Sequence, residues 1–89
     1  LLDDAAALAG AGVFAAVLEL VTPVVAKEIT ASVPIATIGI GSGSDCDGQI
    51  LVTADLLGTF PWFTPKFAPQ KLKAAALMQA AVREWKDSL

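Results

Sequence analysis

Residues Val13–Ile40 read VFAAVLELVTPVVAKEITASVPIATIGI, and their pattern decides the fold. The first nine, Val13–Val21, are almost wholly apolar and are bounded by Gly12 and by Thr22-Pro23. A short continuous apolar run between turn signals predicts a strand buried on both faces. Glu19 is the single charge in it. Thr22 and Pro23 then open a helix, Thr as N-cap and Pro at the first helical position. Val24, Val25, Ile29 and Val33 recur at helical spacing, with Lys27, Glu28 and Ser32 turned elsewhere. The helix should end near Ser32 or Val33, because a residue before proline is pushed out of the helical region. Ile35–Ile40 is a second buried strand. A strand, a helix and a strand in that order predict a right-handed crossover and two adjacent parallel strands.

The flanks extend the pattern. Upstream, Asp3–Ala11 is alanine-rich and opens with two acids, which favour a helix N-terminus; the helix should stop near Gly10. Downstream, the second strand runs into the loop GIGSGSDCDG. Gln49–Leu57 is apolar enough for either a strand or a helix; a helix capped by Asp47 and ended by Gly58 is favoured. Residues 59–69 hold three prolines and three of the four phenylalanines, which predicts an extended segment pinned on a surface. Gln70–Asp87 reads as a long helix, with Ala74, Met78, Ala81, Val82 and Trp85 on one face and Lys73, Gln79, Arg83 and Lys86 on much of the other. Two parallel strands cannot close a sheet alone, so the 89 residues read as one partial domain.

Composition points the same way. Hydrophobic residues are 55% and charged residues 17% of the chain, where soluble domains carry about 25% charged. Something else should cover the surplus apolar surface, either a partner or more polypeptide. A membrane is not expected to do so: the longest uncharged stretch, Ile29–Ser44, is sixteen residues and is broken by Pro34 and glycines, against about 20 for a spanning helix. The opening segment has two aspartates and no base, unlike a signal peptide, and a first residue of Leu predicts that residue 1 is not a translation start. Residues 1–65 carry seven acids and one base, and residues 66–89 two acids and five bases. Such a balance predicts no nucleic-acid partner.

Several chemistries are excluded by absence. Without histidine there is no Ser-His-Asp or Cys-His system, and one cysteine without histidine makes no zinc site within this chain. Cys46 reads as a small, partly buried thiol. Gly43 and Gly48 have P-loop spacing, but Gln49 and Ile50 stand where Lys and a hydroxyl are needed; the dinucleotide fingerprint fails at Ser44 or Cys46. An anion could still meet the loop's backbone amides. A calcium loop counted from Asp45 would need Gly and Glu where Ile50 and Leu56 stand, so Asp45 and Asp47 read as turn and cap residues. Glu19 is the candidate general base. A lone carboxylate in an apolar strand is costly unless paired or facing a polar cavity, burial moves such a group toward the range a general base needs, and barrel active sites lie at the C-terminal ends of parallel strands. The competing reading is a structural carboxylate paired with a base on a neighbouring element.

The strings VLE (Val17–Glu19), TIGIGSG (Thr37–Gly43), CDGQILV (Cys46–Val52), DLLG (Asp55–Gly58) and PKF (Pro65–Phe67) occur in this order. Together they resemble the C-terminal part of the ketopantoate hydroxymethyltransferase family, and the resemblance covers nearly the whole chain. It implies an α/β fold, the last two βα units and terminal helix of a (βα)8 TIM barrel. It implies transfer of a hydroxymethyl group from 5,10-methylenetetrahydrofolate to 3-methyl-2-oxobutanoate, giving ketopantoate for pantothenate synthesis. Magnesium would hold the keto acid and polarise its carbonyl. Glu19 matches the family's glutamate in VLE, taken as the base that removes the C3 proton. The resemblance further implies a homo-oligomer, cytoplasmic or, in a eukaryote, mitochondrial. The family's metal-binding carboxylates and substrate-contacting Lys belong to the first half of the barrel, so no residue here is a metal ligand. Among the departures, the family's IGIGAG is IGIGSG here, which places Ser42 at the alanine, and Ala54 stands where a His commonly precedes the Asp of DLLG.

Three functions follow from this reading. The first is a catalytic piece of that enzyme, inactive without the rest of the barrel. The second is a binding or scaffold module derived from the barrel. The third is a related barrel enzyme of the keto-acid and phosphoenolpyruvate type. The intact VLE favours the first over the second.

Overall fold

The computed structural model describes residues 1–89. The elements run α1 (Leu2–Gly10), β1 (Ala15–Glu19), α2 (Pro23–Ser32), β2 (Ala36–Ile40), β3 (Gly48–Gln49), α3 (Thr53–Leu57) and α4 (Ala74–Asp87). Contacts within the chain divide it into two units, Leu1–Ile50 and Leu51–Leu89. No helix is long and apolar enough to cross a membrane.

In the first unit, β1 and β2 pair in parallel, Ala15 opposite Ala36 through Glu19 opposite Ile40. The helix that joins them is α2, with Pro23 at its start as the sequence predicts. Thr22 contributes its carbonyl, which accepts the Ala26 N–H at 2.9 Å, and not a side-chain cap. Both α1 and α2 pack on one face of the sheet, where Ala5, Leu18, Ala26 and Ile29 form the core. Small residues at 5 and 26 let the helices approach, and Leu18 and Ile29 fill the space between them and the strand.

The other face of the sheet differs from expectation. Both strands read as buried on both sides, yet Val17 is 56% exposed and Glu19 is exposed as well. Only Leu18 of β1 is buried. Alternate residues of a strand point to opposite faces, so β1 is covered by helices on the Leu18 side and open on the Val17–Glu19 side. The run also overstates the strand's length: Phe14 is 92% exposed and precedes it.

A third strand, Gly48–Gln49, begins where the sequence favours a helix over a strand. Gly48 and Gln49 pair in parallel with Ile38 and Gly39, giving the order β1-β2-β3. Parallel neighbours usually need a crossover of a dozen or more residues; here only Gly41–Asp47 intervenes. The reversal uses Gly43 at φ +82, where a Cβ would lie 2.7 Å from Pro23 Cβ. Only glycine meets both conditions at no cost. The pairing corrects the helix expected over Gln49–Leu57, which is confined to Thr53–Leu57. It also corrects the role of Asp47. Its carboxylate accepts the Thr37 N–H at 2.8 Å and the Thr37 hydroxyl at 3.2 Å, fixing the loop to the start of β2. Thr37 is fully buried, and its hydroxyl lies 2.8 Å from that of Thr30 on α2.

In the second unit, α3 ends at Gly58 in the left-handed conformation, φ 65, as the sequence predicts. Residues 59–73 carry no helix or strand, and Phe60 and Trp62 meet edge to face at 4.7 Å. The last helix starts at Ala74 and not at Gln70. Lys71 N–H is taken by Leu56 C=O at 2.7 Å, and Ala75 N–H by Gly58 C=O at 2.8 Å, so residues 70–73 are held along the end of α3. On the expected apolar face of α4, Met78, Val82 and Trp85 are 50%, 63% and 64% exposed.

Candidate functional site at the end of the first strand

Glu19 is the last residue of β1. Parallel pairing points the C-terminal ends of β1 and β2 the same way and sets Glu19 beside Ile40. Residues directly opposite in a parallel pair share a face, so Glu19 lies with Val17, Ile38 and Ile40 on the side away from the helices. Its neighbours on that face are apolar, and no base is paired with it: the one ion pair in the chain joins the N-terminus to Asp4. The structural-carboxylate reading therefore finds no partner within these residues. The burial expected of Glu19 is absent too, since the residue is exposed.

The chain turns immediately beyond it. Leu20 has φ 53, a left-handed conformation unusual for a residue with a bulky side chain. Its N–H donates to Ile40 C=O at 2.9 Å. Ser42, in the glycine turn after β2, is 1% exposed. Its hydroxyl donates to Leu18 C=O at 2.6 Å and accepts the Val21 N–H at 3.1 Å. One side chain thus grips the main chain just before and just after Glu19 and Leu20. Sequence reading noted Ser42 only as a departure from the family string and passed over Leu20. A serine in a glycine loop looks like a turn former, and nothing in a run of apolar letters announces a positive φ.

Gly39 opens no space beside Glu19. A Cβ there would meet Cys46 Sγ at 3.0 Å and Gln49 Oε1 at 3.1 Å, so its bare side is filled by the returning loop. Gln49 in turn donates to Gly43 C=O at 2.9 Å. Cys46 is half-buried there, packed against the core. Asp45 is exposed. No three His, Cys, Asp or Glu side chains converge anywhere in the chain, so its own donors do not fit a magnesium ion.

A sequence profile described as ketopantoate hydroxymethyltransferase matches residues 1–89. The chain belongs to the ketopantoate hydroxymethyltransferase family. Proteins named 3-methyl-2-oxobutanoate hydroxymethyltransferase are similar to it: that of Carboxydothermus hydrogenoformans is 53% identical over 85 residues, 96% of this chain and 31% of the relative. That of Moorella thermoacetica is 54% identical over 86 residues, 97% of this chain and 32% of the relative. That of Helicobacter pylori strain P12 is 51% identical over 89 residues, 100% of this chain and 33% of the relative. The chain spans about a third of the length of the curated relatives it matches. Within the ketopantoate hydroxymethyltransferase family match lie both units of the chain, including Glu19, Leu20 and Ser42.

Proposed function

We propose that these residues are the C-terminal part of a (βα)8 barrel, and that the complete enzyme moves a one-carbon unit from 5,10-methylenetetrahydrofolate to 3-methyl-2-oxobutanoate to give ketopantoate. The observation that carries the proposal is the position of Glu19. It ends a parallel strand, on the sheet face that the helices leave bare. In a closed barrel helices cover the outside and the strands' C-terminal ends hold the active site. The open Val17–Glu19 side of β1 becomes the interior, with the buried Ile40 of β2 beside it, and Glu19 stands at its mouth.

The free edge of β1 supports the same architecture. Leu20 N–H faces β2, and backbone groups alternate along a strand, so those of Val17 and Glu19 face away from β2. A preceding strand would pair there. On the far side, Gly48 and Gln49 occupy part of the β2 edge, and barrel closure requires the first strand to displace them or to pair beside them.

Glu19 then acts as the general base. Its carboxylate takes the proton from C3 of the keto acid; C3 bonds to the one-carbon unit as that unit's two bonds to the folate nitrogens break, and water supplies the hydroxyl while tetrahydrofolate leaves. Magnesium, when bound, supplies polarisation of the keto-acid carbonyl; its ligands would come from the rest of the barrel. The 89 residues alone supply one base, worth roughly 10²–10⁴-fold, against the 10⁶-fold or more typical of enzymes. They are therefore inactive by themselves.

The test is deuterium exchange into C3 of 3-methyl-2-oxobutanoate by the complete enzyme. Glu19→Gln keeps the size and removes the base. Keto-acid binding should survive while exchange falls by roughly two to four orders of magnitude. Equal rates in the two enzymes would leave Glu19 a structural carboxylate.

A further inference from the structure

We propose that Ser42 is a positioning residue for Glu19, and that its hydroxyl holds the strained turn that aims the carboxylate. The inference rests on the reading of Glu19 as the base. Leu20, next to Glu19, has φ 53, which L-residues with bulky side chains avoid. Such a conformation persists only where surrounding structure determines it. Here the determinant is Ser42. The buried Ser42 hydroxyl donates to Leu18 C=O at 2.6 Å and accepts the Val21 N–H at 3.1 Å. The two contacts fall on either side of the Glu19–Leu20 pair, so the left-handed residue is clamped at both ends.

Removing the hydroxyl leaves those two groups without that partner, and Leu20 can relax toward negative φ. Relaxation rotates the peptide plane next to Glu19 and swings its carboxylate. The effect belongs to orientation, not to binding, because Ser42 lies within the turn and its hydroxyl is fully engaged with backbone. The hydroxyl acts on the backbone and not on the reacting atoms, so a modulation of rate is expected and not its abolition.

The experiment uses the complete enzyme and C3 deuterium exchange at saturating 3-methyl-2-oxobutanoate, per mole of folded protein. Ser42→Ala should slow exchange by about tenfold, the factor that one intramolecular hydrogen bond is worth. The half-saturating keto-acid concentration should not move. Leu20→Asn restores a preference for the left-handed region, which Asn tolerates better than Leu, at an exposed side chain. Combined with Ser42→Ala it should bring exchange back to within about threefold of wild type. Should Ser42→Ala fail to fold, Ser42→Cys fills the same space with a weak hydrogen-bonding group and should show the same loss and the same rescue.

Wild-type exchange in the Ala or Cys variant overturns the inference, as does a loss that Leu20→Asn cannot recover. Glu19→Gln is run alongside. If it slows exchange and Ser42→Ala does not, only the positioning role falls. If Glu19→Gln itself exchanges at the wild-type rate, the base reading fails and takes the positioning role with it.

Discussion

The first fifty residues and the last thirty-nine organise their apolar surface in different ways. In Leu1–Ile50, helix and strand meet around Ala5, Leu18, Ala26 and Ile29, and the buried hydroxyls of Thr37 and Ser42 are both hydrogen-bonded. In Leu51–Leu89 the only buried apolar residues are Ala68 and Ala75, while Phe63, Leu77, Val82 and Trp85 are each at least 60% exposed. A βαβ unit brings three elements together by local connections, so it forms a core from its own sequence. A lone amphipathic helix has no such partner nearby in sequence. Its apolar face is specified by the chain but left exposed within it.

The contrast can be broken or sharpened by substitution, read as shifts in urea unfolding. Ile29→Ala should have the largest effect, about 2–5 kcal/mol, because it empties the centre of the first unit's core. Gly43→Ala comes next, at about 1–3 kcal/mol: it places a Cβ against Pro23 and forces a left-handed φ on alanine. A loss under about 0.5 kcal/mol there would mean that the glycine turn does not hold β2 to α2. Trp85→Ala should be the smallest, within about 0.5 kcal/mol in the 89-residue chain, since an exposed side chain has little to lose. The same substitution in the complete enzyme should cost several-fold more. Equal costs in the two settings would mean that nothing covers α4.

Legibility in the sequence followed the range of the interaction. Pro23 starts α2 and Gly58 ends α3 because each acts through its own backbone torsions, and both ends were readable. The parallel pairing of β1 with β2 was readable because chain order and crossover handedness leave one solution. Burial was not: Val17 and Ile38 are as apolar as core residues, and only the packing shows which face the helices cover. Asp47 looked like a helix cap because aspartate before an apolar run usually is one; its carboxylate instead found Thr37, ten residues back. The late start of α4 depends on Lys71 meeting Leu56, which no local pattern encodes. Glu19 was found through a family string and its place in the chain, and its setting differed from the expected buried one. The turn that aims it, Leu20 with Ser42, joins residues 22 positions apart, and the serine in the glycine string carried no sign of the contact it makes.

The unpaired side of β1 has a colloidal consequence for anyone who expresses these residues alone. A bare strand edge is a template for another strand, and natural proteins guard such edges with lysine, proline or a bulge. Between Ala15 and Glu19 there is neither lysine nor proline, and the one charge stands at the strand's last position. Two copies could therefore zip together along β1. Solubility of the isolated polypeptide should fall with concentration well before its helices melt, and a lysine at Val17 would be a first choice for keeping it in solution.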